Sequence, residues 1–171
     1  LWNEPDHDRG THGFNFMVNL YATNAENALW IVPGTHDSGK LDIKGRVAAN
    51  NNSIELPDAV PMLCNPGDVA ICNRQMLHGS FANTSADMRA TLVFGFHRRA
   101  SVLKSHDFDN VPYDEARVID RSRVIALAAA ARAQAYPEEQ SYEYQPLADE
   151  NIQWNASRDQ LHGYNKKDLF V

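Results

Sequence analysis

Residues 14–21 have the sequence FNFMVNLY, in which apolar side chains alternate with a second, more polar set. The apolar set is every second residue from Phe14 to Leu20, and the other set includes Asn15 and Asn19. Because successive side chains of a strand point to opposite faces, this period of two predicts a strand. The partly polar face suits the lining of a pocket. Asn15 and Asn19 are therefore candidate pocket-lining residues.

Short strand candidates continue along residues 14–98, separated by turns of Gly, Pro and Asn, and almost no helix is predicted there. They are residues 28–32, 54–56, 59–64, 69–72, 76–80 and 89–97. Residues 34–53 are polar and rich in Gly, Asn and Asp, which predicts a long loop. Several short strands in succession are typical of an all-β sandwich or barrel.

The character of the chain changes after this region. Residues 120–135 are dominated by Ala, Arg, Leu and Ile, contain no Gly or Pro, and predict a helix with Asp120 as its N-cap. Residues 138–171 are polar with scattered aromatic side chains and predict an irregular tail. Because helix and tail are too small for a second domain, residues 1–171 are predicted to form one domain. Its core is about 14–98 and its C-terminal appendage about 100–171.

Composition excludes several classes of protein. The 171 residues are 43% hydrophobic and 22% charged, with a net charge of −6, which is typical of a soluble globular protein. An acidic surface argues against nucleic acid or an anionic membrane as the main partner. The apolar runs are too short for a transmembrane helix. Two cysteines, Cys64 and Cys72, make neither a disulfide framework nor a zinc set, so a cytoplasmic protein is expected.

Three residue types with useful chemistry lie close together in the sequence. His78 ends a short apolar strand and is followed by Ser80, and Arg89 opens the longest strand candidate eleven residues after His78. A β-hairpin between these strands is predicted to bring imidazole, hydroxyl and guanidinium together. An arginine that faces inward needs an anion, and a carboxylate suits it best. A solvent-exposed arginine at a strand start is the alternative.

Two blocks of sequence resemble the phytanoyl-CoA dioxygenase family of iron(II)- and 2-oxoglutarate-dependent oxygenases. The first block, ENALWIVPGTH at residues 26–36, is similar to the family's E-N-G-x-L-x-x-x-P-G-[ST]-H, with Ala28 where the family usually has Gly. The second block runs from NPGDVAIC at residues 65–72 through MLHGS and NTS to Arg89. The blocks occur in the family's order, with its interval of eleven residues between His78 and Arg89.

The resemblance implies a double-stranded β-helix core, a jelly roll of the cupin-like kind, which agrees with the strand pattern. It implies that His78 is an iron ligand and that Arg89 and Ser80 bind the far carboxylate of 2-oxoglutarate. It also places His36 near the rim of the pocket. Iron(II), held by two His and one carboxylate, would then be the cofactor, with 2-oxoglutarate and O₂ as cosubstrates.

The family's other two iron ligands come from a His-x-Asp motif, which this sequence lacks. Two explanations are open. The motif is expected upstream of Leu1, in which case residues 1–171 alone bind iron weakly. Alternatively, the site is degenerate, and Asp6, His7, Asp8 or His12 substitutes or no iron binds. No proximal ligand is assigned to this sequence.

The function expected from these features is the hydroxylation or another oxidation of a small organic substrate, with decarboxylation of 2-oxoglutarate to succinate. The alternatives are a catalytically degenerate jelly-roll protein that binds a small molecule, and a cupin-like metalloenzyme that does not use 2-oxoglutarate. The pairing of Arg89 with Ser80 argues against the last. Halogenation stays open. The segments expected to set specificity, residues 37–53 and 100–171, carry no readable motif, and neither substrate nor oligomeric state follows from the sequence.

Overall fold

The structure is a computed structural model that describes residues 10–106 and 110–162, without the side chains of residues 161 and 162. The chain divides into two compact units, Leu1–Ser101 and Val102–Val171. The interpretation of residues 1–171 as one domain with a C-terminal appendage stays a prediction.

The first unit contains the strands of the described residues. In chain order they are β1 Gly13–Asn19, β2 Leu29–Ile31, β3 Val60–Pro61, β4 Val69–Asn73, β5 His78–Ser80 and β6 Thr91–His97. The described helices of the chain are α1 Ile43–Ala49, α2 Arg99–Val102, α3 Glu115–Ala135 and α4 Arg158–His162, with 3-10 turns at Thr35–Asp37 and Gln145–Leu147.

The strands form two antiparallel sheets of three strands each. Sheet A has the order β4-β1-β6, and sheet B has the order β3-β2-β5. Within sheet A the long strands pair in a continuous register, from Gly13 opposite His97 to Asn19 opposite Thr91. Antiparallel sheets and a C-terminal helix agree with the predicted all-β core and helix. The closure of these sheets into a jelly roll stays a prediction.

Sheet A has two chemically different faces, as the alternation in residues 14–21 predicts. One face, called the inner face here, carries Asn15, Met17 and Asn19 of β1. The opposite, outer face is apolar, and on it the rings of Phe14 and Phe96 stack with centroids 5.6 Å apart. Much of this outer face is open to solvent among the described residues, since Phe94 is 51% exposed. The buried apolar residues described in the first unit, Ala28 and Val32, lie next to the two ends of β2 in sheet B.

The structure corrects two strand and loop predictions. Residues 43–49, predicted as part of a long loop, form helix α1, because the Asp42 carboxylate accepts a hydrogen bond from Gly45 N and caps the helix. Residues 54–56, predicted as a strand fragment, are irregular. Residues 50–53 turn the chain there, with Asn51 and Asn52 at positive φ, and Asn50 donates from its side chain to the carbonyl of Glu55.

In the second unit, α3 begins five residues earlier than predicted. Asp114, not Asp120, is the N-cap, since its carboxylate accepts a hydrogen bond of 2.8 Å from Arg117 N. Further along α3, Arg123 is paired with Glu150, and this ion pair raises the pKa of the guanidinium. In the part of the chain that the structure describes, no helix combines the length and the hydrophobicity needed to cross a membrane.

Candidate functional site

A cavity of about 310 Å³ lies in the first unit, and the inner face of sheet A forms one of its walls. Met17 and Asn19 of β1 line it together with Thr91 and Val93 of β6, and Arg89 lies just before β6 on the same wall. The paired register of β1 and β6 places these side chains on one face, because opposite residues in antiparallel strands share a face. The period of two in the sequence therefore identifies this wall.

The opposite wall comes from the β2 and β3 region. Leu29 of β2, Met62 just after β3, and the neighbouring Thr23 and Cys64 line it. The volume of the cavity is in the range of small-molecule sites. Because residues of both sheets line it, the cavity lies between sheet A and sheet B.

Arg89 is the charged residue among the described residues that line this cavity. The side chains next to it on the wall, Thr91 and Asn19, are neutral. The Thr91 hydroxyl donates a hydrogen bond of 3.0 Å to the Asn19 side-chain oxygen. In the described part of the chain, no carboxylate pairs with Arg89. A guanidinium does not lose its proton in proteins. The cavity is thus suited to an anionic group, and a carboxylate binds a guanidinium through two parallel hydrogen bonds.

His78 and Ser80 belong to the inner face of sheet B. In the register of β2 with β5, Leu29 lies opposite Ser80 and Ile31 lies opposite His78. Leu29 lines the cavity, so the side chains opposite Leu29 and Ile31 share its face. Both His78 and Ser80 are exposed. His78 and Ser80 are not among the described residues that line the cavity, so their convergence with Arg89 stays a prediction.

The predicted β-hairpin between these strands is wrong. β5 pairs with β2 in sheet B, whereas β6 pairs with β1 in sheet A. The connection between β5 and β6 is too long for a tight hairpin turn, and it folds on itself through Asn83, whose side chain donates to the carbonyl of Asp87 at 2.7 Å. His78 thus lies in sheet B, whereas Arg89 directly precedes β6 of sheet A.

The two sequence blocks are held together by their own polar side chains. Thr35 of the first block accepts a hydrogen bond of 2.9 Å from Leu77 N, directly before His78. Asn27, which is only 3% exposed, donates to the hydroxyl of Ser85 in the second block at 3.2 Å. These bonds fix β5 beside β2. These polar residues of the two blocks therefore have a structural role, because they hold the strand that carries His78.

The orientation of the His78 ring suits a metal ligand. Nδ1 of His78 is 2.8 Å from the carbonyl oxygen of Met76. A carbonyl only accepts hydrogen bonds, so Nδ1 carries the proton and Nε2 keeps a lone pair for a metal ion. Across the described ranges 10–106 and 110–162, however, no group of three or more His, Cys, Asp or Glu residues could hold a metal. The described residues thus fit one iron ligand and not the complete set.

His12, named above as a substitute ligand, has a different role. It is fully buried, and its Nδ1 lies 2.7 Å from the Ser101 hydroxyl and 3.2 Å from an Arg98 nitrogen. Arginine only donates, so Nδ1 of His12 is an acceptor that these neighbours occupy. This geometry supports a structural role. The other proposed substitutes, at positions 6–8, lie outside the described residues.

Two of the candidate pocket-lining residues lie away from the cavity wall. Asn15 is on the inner face of sheet A, where its side-chain oxygen accepts a hydrogen bond from Arg74 at 3.2 Å. His36 lies in the 3-10 turn Thr35–Asp37, with Nε2 3.3 Å from the Asp37 carboxylate, and is not among the described residues that line the cavity. Asn19, the third candidate, does line it.

The sequence analysis did not single out Arg74, Thr91 or Met62 as site residues. Thr91 has a usable signal, because it follows Arg89 by two residues in a strand and therefore shares its face. Met62 has no such signal, because it lies just after β3, a strand of only two residues. Near Met62, burial and then the proximity of Cys64 raise the pKa of the Cys72 thiol. The sulfur-containing side chains of Met62 and Cys64 make this end of the cavity apolar.

Comparison with known proteins identifies the class. The model of the family described as "Phytanoyl-CoA dioxygenase (PhyH)" matches residues 3–91, about half of the chain. The chain belongs to this family. A search of curated proteins gives no match.

Two solved proteins are similar in structure. EvdMO1 is 26% identical over 52% of this chain and 20% of its own, with a TM-score of 0.43. HygX from Streptomyces hygroscopicus, with nickel and 2-oxoglutarate bound, is 17% identical over 60% of this chain and 45% of its own, with a TM-score of 0.47. A structure of HygX with iron bound has a TM-score of 0.46 and 18% identity over 60% of this chain and 47% of its own.

The present chain thus spans about a fifth of the length of EvdMO1 and less than half of that of HygX. Iron is bound in one of these HygX structures, and 2-oxoglutarate is bound together with nickel in the other. Iron and 2-oxoglutarate are the cofactor and cosubstrate predicted above from the family resemblance.

Proposed function

We propose that this chain supplies the 2-oxoglutarate pocket and one iron ligand of an iron(II)-dependent oxygenase acting on a small organic substrate. The single observation that carries the proposal is the placement of Arg89. It is a cation without a carboxylate partner in the described part of the chain, and it lines a cavity of about 310 Å³. The sheet that faces it carries His78.

In this proposal Arg89 binds the far carboxylate of 2-oxoglutarate through two hydrogen bonds. Ser80 donates its hydroxyl to the same carboxylate, because it lies opposite Leu29, a residue of the cavity wall. Met62 and Val93 offer apolar contacts to the methylene groups of the oxo-acid. The far carboxylate is thereby anchored, and the oxo-acid end is directed toward His78.

His78 would hold iron through Nε2, with the ring fixed by its hydrogen bond to Met76 O. The remaining ligands are assigned to parts of the protein outside the described residues. Iron(II), when bound, supplies the oxidation of substrate by O₂ that is coupled to the decarboxylation of 2-oxoglutarate to succinate. Hydroxylation is the proposed form of this oxidation. A cytoplasmic location is proposed because both cysteines are free.

A second candidate function is a protein that binds a dicarboxylate without turnover. One observation favours it, since the described residues contain no set of three metal-ligating side chains. The two functions differ in whether a metal ion strengthens the binding of the oxo-acid.

The test compares 2-oxoglutarate with glutarate, which has both carboxylates and lacks the oxo group. Binding to the protein is measured by titration calorimetry under argon, with and without iron(II). For the oxygenase we expect iron to strengthen the binding of 2-oxoglutarate and not of glutarate, since only the oxo-acid chelates the metal. His78→Ala should remove this effect of iron, and His36→Ala is the matched control.

If iron leaves the affinity for 2-oxoglutarate unchanged in a protein that includes the remaining iron ligands, the protein is a binding protein and the oxygenase proposal fails. If iron strengthens binding equally in His78→Ala, the assignment of His78 as a ligand is wrong. Succinate formation from 2-oxoglutarate in air then tests turnover, and we expect it to be lost in His78→Ala.

A further inference from the structure

Arg74 lies across the inner face of sheet A. It follows β4 directly, and its backbone N–H donates to the carbonyl of Gly13 at 3.1 Å, which extends the pairing with β1. Its side chain donates from Nη1 to the Asn15 side-chain oxygen on β1 at 3.2 Å. Asn15 lies opposite Gly95 of β6. The guanidinium therefore crosses the central strand and reaches the far strand of the sheet.

Two glycines make room for this side chain. A Cβ atom at Gly95 would lie 2.5 Å from Nη1 of Arg74, and one at Gly13 would lie 3.0 Å from its Cδ. No real Cβ would tolerate the first approach without displacing the guanidinium. The missing side chains of the two glycines thus leave a shallow groove in the inner face, and the Arg74 side chain lies in this groove. The guanidinium therefore lies on the inner face of sheet A, and neither Arg74 nor Gly95 is among the described residues that line the cavity.

The Arg74 side chain is exposed to solvent. Its side chain hydrogen-bonds a neutral amide, and no carboxylate pairs with it in the part of the chain described by the structure. A guanidinium has five N–H donors, and Asn15 uses one. Arg74 is therefore a positioned cation with donors left for an anionic group, as is Arg89 on the same face.

The backbone positions beneath the Arg74 guanidinium and next to Arg89 are far apart along β6. Along β6, Gly95 lies four residues beyond Thr91, or about 13 Å in an antiparallel strand. A five-carbon dicarboxylate is shorter than that. If Arg89 binds the far carboxylate of the oxo-acid, the guanidinium over Gly95 is left for a different anion.

We propose that Arg74, positioned by Asn15 and Gly95, binds an oxyanion group, a carboxylate or phosphate, of the primary substrate. The inference rests on the proposed function, and it assigns an anionic substrate class to the same site. Arg74 would act as a specificity-determining residue.

The test uses inorganic phosphate as the probe, with binding measured by phosphorus NMR titration of the full chain with and without 2-oxoglutarate. We expect Arg74→Gln and Gly95→Ala each to weaken phosphate binding about tenfold. Neither variant should change the affinity for 2-oxoglutarate by more than about twofold. Arg89→Gln should weaken the binding of 2-oxoglutarate and leave the binding of phosphate unchanged. Lys44→Gln, at an exposed position of α1, is the control for net charge.

Gly95→Ala keeps the test decisive if Arg74→Gln does not fold, which circular dichroism will show. It removes no hydrogen-bonding group, and the added Cβ meets only the far end of a flexible arginine and the Asn15 side chain. If Gly95→Ala and Arg74→Gln bind phosphate no more weakly than Lys44→Gln, the second anion site is refuted. If Arg74→Gln weakens 2-oxoglutarate as strongly as Arg89→Gln does, Arg74 belongs to the oxo-acid site and the inference is overturned. Failure of the proposed function is a separate result, namely an affinity for 2-oxoglutarate that does not depend on Arg89.

Discussion

Replacing Arg89 by Gln should weaken the binding of 2-oxoglutarate. The change removes the cationic group from the described lining of the cavity while keeping a side chain of similar polarity. It leaves the hydrogen bond between Thr91 and Asn19 in place, so the wall should keep its shape. The expected loss of binding free energy is therefore the contribution of the contact between Arg89 and the far carboxylate of 2-oxoglutarate.

The size of the effect follows from the geometry. A hydrogen bond to a charged group contributes about 1.5–3 kcal/mol, and an arginine forms two of them to a carboxylate. Arg89 is exposed, so solvent screening reduces the total well below the sum. We expect a loss of about 2–3 kcal/mol, or a Kd raised about 30- to 150-fold.

Titration calorimetry at physiological salt measures this change, and pyruvate provides the internal comparison. Pyruvate has the oxo-acid end of 2-oxoglutarate and lacks the far carboxylate, so its affinity should be the same in wild type and Arg89→Gln. Lys44→Gln controls for the change in net charge. An Arg89→Gln protein that binds 2-oxoglutarate within threefold of the Lys44→Gln protein would refute the assignment of Arg89.

Three further outcomes are expected. Asp114→Ala should destabilise α3 by about 1 kcal/mol through loss of its N-cap, measured by thermal unfolding followed by circular dichroism. Cys72 should react with iodoacetamide more slowly than an ordinary thiol at pH 8–9 and gain reactivity only at higher pH, because burial and Cys64 raise its pKa and so lower its thiolate fraction. The outer face of sheet A should bind the dye ANS, and Phe94→Ser should reduce the fluorescence, since Phe94 is 51% exposed there.

Each of these outcomes has a matched control. Asp120→Ala removes an exposed carboxylate from within α3 and should cost less than Asp114→Ala, and a larger loss would contradict the position of the cap. Cys64→Ala should lower the pKa of Cys72 and speed its alkylation, whereas an unchanged rate would mean that the two thiols do not interact. Tyr142→Ser replaces an exposed aromatic residue of the second unit, and ANS fluorescence that falls equally there would contradict the assignment to sheet A.

Local patterns in the sequence predict much of the first unit. The alternation of residues 14–21 predicts both β1 and the division of sheet A into an apolar face and a partly polar face. That division places Asn19 on the cavity wall, and the spacing of Arg89 from Thr91 extends the wall to β6. These features are predictable because the direction of a side chain in a strand depends only on its position in the local period.

The residues at which helices begin are harder to predict from local sequence patterns than the faces of strands are. The stretch 120–135 predicts most of α3, yet Glu115–Ile119 also join the helix because Asp114 caps it. Residues 43–49 form a helix although their surroundings are rich in loop-forming residues. In both cases one capping carboxylate, at Asp114 or Asp42, decides where the helix begins, and the polar residues around it conceal that signal.

The sequence alone gives the residue types of the candidate site, an imidazole, a hydroxyl and a guanidinium, and it predicts the two faces of β1. The tertiary structure alone decided that β5 pairs with β2 and that His78 therefore lies in a different sheet from β6, the strand that Arg89 precedes. It also decided that Arg74 lies over Gly95. The physical reason is that strand partners are chosen by contacts between distant segments, such as Asn27 with Ser85, and no local period contains that information.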